Sequence, residues 1–151
     1  MSRHHTIPRI PRAQLDPVDD SDDALALISL AIHQPLVHET IAIALDARRC
    51  GSTITVVSGT DHPDAVLDIV EVMALAACRD MSFDADLTSP ADGLVIASVR
   101  PEGATLPGDV DRWLEASSLA ESFGLRLLEW YVIGPAGPEC PRDLIGEPAR
   151  W

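Results

Sequence analysis

Residues 93–99 (GLVIASV) form an unbroken apolar run interrupted by a single serine. A run of this length without polar alternation predicts a strand covered on both faces, and such a strand belongs in the middle of a sheet. It therefore needs a layer of helices on each side, and the rest of the chain provides the patterns for them. Residues 21–33 (SDDALALISLAIH) open on a capping Ser or Asp, carry Asp22 and Asp23 where the helix dipole favours them, and turn almost wholly apolar. They predict a buried helix closed by Pro35. Residues 40–46 and 53–57 are rich in β-branched side chains and flank a turn at 47–51, which predicts a hairpin.

His62-Pro63 opens an amphipathic stretch to about residue 79, with Val66, Ile69, Val70, Met73 and Ala77 at helical spacing. Residues 80–92 have no sustained period and read as a loop. Residues 100–108 (RPEGATLPG) are a Pro/Gly loop, and 109–123 a helix that Gly124 ends in a left-handed cap. Residues 125–133 (LRLLEWYVI) are a last strand. The expected order αββαβαβ gives a three-layer α/β fold, a central mixed sheet flanked by helices, over residues 21–134. Residues 1–20, with Pro8, Pro11 and Pro17, read as a flexible arm. Residues 135–151, with four prolines, read as an irregular tail.

Composition excludes several classes of function. The 151-residue chain has 11 basic residues against 24 acidic ones, a net charge of −13, and every basic residue is an arginine. Without lysine there is no Schiff base, no general-base amine and no phosphate-binding lysine. The acid surplus opposes nucleic acid and anionic lipid, so neither is expected as a partner. Cys50, Cys78 and Cys140 stand far apart with no His at ligand spacing, which indicates neither a disulfide framework nor a zinc ribbon. They fit a reducing, cytoplasmic setting with no membrane span or export signal. His4 and His5 lack a third metal ligand nearby.

Several residues form a recognisable constellation. Glu39 precedes Asp46 by seven positions in HETIAIALD. Ser58-Gly59-Thr60 is followed by His62-Pro63 and Val66, and residues 97–111 read ASVRPEGATLPGDVD. Over residues 37–134 this pattern resembles the RadC-like branch of the JAB/JAMM (MPN) metallohydrolase domain, down to the closing helix and LRLLEWYVIG. The resemblance implies a JAB/MPN-like, cytidine-deaminase-like fold. It also places Ser98 and Arg100 where that family carries two metal-binding histidines, Gly108 where it carries a serine, and Asp111 at the one ligand position that matches. Pro101, Gly103 and Pro107 keep the loop framework.

A catalytic zinc needs neutral imidazoles, a carboxylate and an open position for water. One carboxylate does not supply this, and the guanidinium of Arg100 is always charged. The resemblance thus implies a degenerate site of Glu39, His62, Ser98, Arg100 and Asp111, with no metal, no cofactor and no catalysis, in a domain that acts through a protein partner or as a homodimer. Arg100 is expected to replace the cation by pairing with Glu39, Asp111 or both. Two alternatives stay open: a metal-independent or atypically metallated hydrolase using Glu39, His62 and Asp111, and a small-anion sensor at Arg100 beside the helix that starts at residue 109. His62 reads as a turn histidine, His38 as facing away from the site, and Ser58-Gly59-Thr60 as turn chemistry. Trp130 and Tyr131 fall on opposite faces of the last strand; an exposed one would mark a dimer or partner surface, with burial in the core or under the tail the equal alternative.

Overall fold

A computed structural model describes residues 10–80 and 91–151. The elements run α1 (Ser21–Ala31), β1 (Glu39–Asp46), β2 (Gly51–Ser58), α2 (Ala65–Asp80), β3 (Ala91–Val99), α3 (Asp109–Ser122), β4 (Arg126–Gly134), β5 (Gly137–Glu139) and a 3-10 turn, Pro141–Ile145. The five strands make one sheet in the order β2-β1-β3-β4-β5. Only β3 and β4 are parallel, and α3 connects them; the other neighbours are antiparallel. The apolar run thus occupies the middle strand, and Leu94, Val95, Ile96 and Ala97 are fully buried.

Strand alternation sends its two sets of side chains into two cores. Ile41, Ile43 and Leu45 of β1 and Val95, Ala97 and Val99 of β3 share one core with Leu27 and Ile28 of α1. Ala42, Ala44, Leu94 and Ile96 share the other with Val66, Val70 and Ala74 of α2 and Trp113, Ala116 and Ala120 of α3. This is a three-layer α/β fold with one helix on the first face and two on the second. Each fully buried Leu or Ile contributes roughly 1.5–3 kcal/mol relative to exposure.

Several expectations need correction. Helix α1 ends at Ala31, capped by the Asp20 side chain at its start, and buries Ala24, Leu27 and Ile28 while Leu30 faces solvent. Alone on its face, it lays down one stripe and leaves the opposite stripe wet. Helix α2 starts at Ala65, because the His62 carbonyl first accepts the Ala65 N–H in a separate turn. Gly124 is left-handed, as its place after α3 requires.

Trp130 and Tyr131 are both buried. Strand β4 inserts Leu128 as an extra residue between Leu127, opposite Leu94, and Glu129, opposite Val95, and β5 pairs along its outer side. β5 covers only Val132–Gly134, and burial in the two cores, not strand pairing, keeps both aromatics from forming a partner surface.

Residues 10–20 and the segment after β5 both pack against the domain. Pro17 bridges Cys50, the Val18 N–H donates to the Arg49 carbonyl at 2.7 Å, and Val18 is buried in the α1-side core. Beyond β5, the Arg150 guanidinium lies 4.3 Å from the centre of the Trp113 ring. His4, His5 and residues 81–90 of the expected loop lie outside the described residues.

Candidate functional site

The carboxyl end of β3 and the loop after it meet the turn before α2 around a cleft of about 200 Å³. Its lining includes His38, Thr60, His62, Ser98, Arg100 and Glu102. The register explains why Ser98 and Arg100 are there. Ser98 has the strand parity of Leu94 and Ile96, whose core is on the α2/α3 side, and it stands opposite Thr40 of β1. The Thr40 hydroxyl donates to Thr60 Oγ1 at 2.8 Å, and Trp130 Nε1 donates to Ser98 Oγ at 3.0 Å.

Glu39 stands opposite Val99, one residue out of phase with Ser98, and so belongs to the α1 face. Fully buried, its carboxylate accepts the His33 backbone N–H at 3.0 Å and lies 2.6 Å from His33 Nδ1. It ties the end of α1 to the sheet and takes no part in the cleft. Asp111 is exposed on α3. The expected pairing of Arg100 with Glu39 or Asp111 therefore does not occur.

Arg100 pairs instead with Asp109, the first residue of α3. Its two terminal nitrogens donate to the two carboxylate oxygens at 2.6 and 3.1 Å, and its guanidinium carbon lies 5.9 Å from the Trp130 ring centre. Asp109 also accepts the Leu106 N–H at 2.6 Å and Arg112 Nη1 at 2.9 Å, while Arg112 Nε reaches Asp64 at 2.8 Å. Burial alone would raise the Asp109 carboxyl, but hydrogen bonds from Arg100 and the Leu106 amide, the charge of Arg100 and the bond from Arg112 hold it below the usual range. The clamp joins the end of β3 to the start of α3, and through Arg112 to the turn before α2.

Gly108, where the resemblance expects serine, has φ +90°. A side chain there is strained, and its Cβ would sit 3.3 Å from the Arg112 guanidinium. Serine there would carry backbone strain and require the Arg112 side chain to move by a few tenths of an ångström.

His38 does line the cleft, because it lies just before β1, where strand alternation does not yet apply. Its Nε2 is 2.9 Å from Glu102, a contact that lowers the Glu102 carboxyl, and its buried Nδ1 has no hydrogen-bond partner. His62 is exposed, and its Nδ1 accepts the Asp64 N–H at 3.1 Å, the work of a turn histidine. Of the five expected site residues, the fold brings His62, Ser98 and Arg100 to one cleft and leaves Glu39 and Asp111 out of it.

A metal centre of the JAB/JAMM kind does not fit these residues. Where the resemblance would place two histidines stand a hydroxyl engaged by Trp130 and a guanidinium engaged by Asp109. Among the described residues no group of three or more His, Cys, Asp or Glu is placed to hold a metal ion. Asp109 and Arg112 escaped the sequence reading. The available signal was the i, i+3 spacing of an acid and an arginine in the first helical turn, just after a loop that begins with arginine. No protein-family model matches the chain, and no curated protein matches it either.

Proposed function

We propose that this chain is a non-catalytic domain of RadC-like, JAB/JAMM descent that works by binding protein rather than by turning over a substrate. The single observation that carries the reading is the Arg100–Asp109–Arg112 clamp. Through it Arg100, the one clamp residue that lines the cleft, already has its charge met by the buried Asp109 carboxylate. The strand order and the two helical layers are compatible with that descent.

The alternatives weaken on the same geometry. A hydrolase using Glu39, His62 and Asp111 needs the three to converge, and they are divided between the sheet's two faces and the outside of α3. An anion at Arg100 would meet a guanidinium whose charge a buried carboxylate already balances. Among the described residues no helix is long and apolar enough to cross a membrane.

The test is metal retention. Protein equilibrated with zinc and then dialysed is expected to hold well below one equivalent by elemental analysis. One tightly held equivalent that is lost in Asp111→Ala overturns the reading. A gain of zinc by the double variant Ser98→His, Arg100→His would support the descent.

A further inference from the structure

The two edges of the sheet differ in length of exposed strand and in how they are blunted. β5 is three residues long, contains Pro138 and runs into the 3-10 turn. At the opposite edge β2 is eight residues long. The N-terminal segment covers only its start, where the Gln14 N–H donates to the Gly51 carbonyl at 3.0 Å and Pro17 bridges Cys50. Past that point the outer side of β2 has no backbone partner among the described residues.

The phase of the ladder shows which groups are left over. The Gly59 N–H donates to the His38 carbonyl at 2.8 Å, and antiparallel bonds recur at every second residue. With Val57 opposite Thr40, Thr55 opposite Ala42 and Thr53 opposite Ala44, the backbone groups of those three β2 residues face β1. Those of Ile54, Val56 and Ser58 face outward. The Ile54 and Val56 side chains, 47% and 39% exposed, stand on the α1 face beside Ile43 and Ile41.

Natural edge strands are usually blunted by lysine, proline or a bulge. Residues 53–58 (TITVVS) contain no charge and no proline, in a chain whose net charge is −13. Over most of its surface a second copy would meet like charge, whereas this strip presents none.

The sequence is also self-complementary about Thr55. A two-fold axis there sets Ile54 of one copy against Val56 of the other, both with outward-facing backbone groups, for four inter-chain hydrogen bonds. It also gathers four exposed apolar side chains on one face, where they cover one another.

We propose that β2 pairs antiparallel, about Thr55, with β2 of a second copy of this chain, forming a continuous ten-stranded sheet. The pairing deepens the interaction-domain reading by naming its partner, and it rests on that reading for the premise that the chain works by association.

Sedimentation equilibrium of the full chain, from about 1 to about 100 µM, spans the relevant affinities. The expected mass is twice 16.2 kDa at the upper end, falling to 16.2 kDa in Ile54→Lys, Val56→Lys. Far-UV circular dichroism checks that this variant is folded. A native chain that stays at 16.2 kDa, or a folded lysine variant that dimerises as well as the native chain, overturns the proposal. Thr55→Cys is expected to form a disulfide-linked dimer under mild oxidation, with the native chain as background, and Thr53→Cys to form none, because it faces Val57. A dimer that cross-links at neither position overturns the register and the proposal with it. A monomer that holds no zinc sinks the pairing alone, whereas a dimer that holds zinc sinks the non-catalytic reading alone.

Discussion

Arg100 and Asp109, nine residues apart on either side of the β3–α3 loop, join through two hydrogen bonds of 2.6 and 3.1 Å with the carboxylate fully buried. Removing one partner of a buried pair leaves the other without compensation, at a cost of roughly 3–5 kcal/mol. Arg100→Met is therefore expected to lose about 3 kcal/mol in urea unfolding, at the lower end because Arg112 still contacts Asp109. Arg100→Lys is expected to recover only part of this, since an ammonium does not reproduce the two-pronged contact. A loss below about 0.5 kcal/mol, the range of ordinary surface substitutions, would show that the clamp is not a stabilising element.

Acid sharpens that test. The folded Asp109 carboxyl is depressed, so its contribution is present above the unfolded value near 3.9 and lost as pH falls through its folded value. The native chain is therefore expected to lose stability below about pH 4 more steeply than Asp109→Asn. Parallel acid limbs would exclude Asp109 as the source.

The sheet was legible in the sequence because its evidence is local. The apolar run at 93–99 demands a central strand whatever surrounds it, and Gly124 marks the end of α3 by its backbone alone. The partner of Arg100 was not legible, because it depends on register. A one-residue difference in phase separates Glu39 from Ser98 across the sheet, and the β1–β3 pairing that sets this phase joins segments some sixty residues apart. Asp109 and Asp111 both sit in the first turn of α3, and only the i, i+3 spacing of Asp109 and Arg112 separates them. The partners of the tail were not legible for a related reason. Its prolines suggest irregular backbone, yet Arg142 and Arg150 bind acids, carbonyls and a ring that are distant in sequence.

Arg150 is the lock on that tail. It stacks on Trp113, donates to Glu147 at 2.7 Å, to Ser117 Oγ at 3.1 Å and to the Leu127 carbonyl at 2.8 Å, while Glu147 accepts Trp113 Nε1 at 2.9 Å. A partly desolvated cation–π contact and a charge-assisted hydrogen bond are each worth about 1–2 kcal/mol. Arg150→Ala is expected to cost about 2 kcal/mol and to speed amide exchange at 141–150 before it affects β3. Unchanged exchange in the tail would mean that Arg142 alone holds it.

Glu129 runs against Asp109 in its pH dependence. Burial raises its carboxyl despite the Arg142 Nε bond at 2.7 Å, and the same burial, together with the Glu129 charge, pushes the neighbouring Cys140 thiol up to about 12. A raised carboxyl contributes stability that is complete below the unfolded value near 4.3 and disappears as pH rises through the folded value. Glu129→Gln keeps the shape and an acceptor for Arg142 but cannot ionise. It is expected to gain on the native chain as pH rises above the unfolded value near 4.3. Arg142→Met removes the counter-charge, so the fall with pH should steepen, and in the double variant the slope should vanish. A native chain whose stability rises with pH relative to Glu129→Gln would mean that the Arg142 contact outweighs burial, and Glu129 would then be an ordinary ion pair.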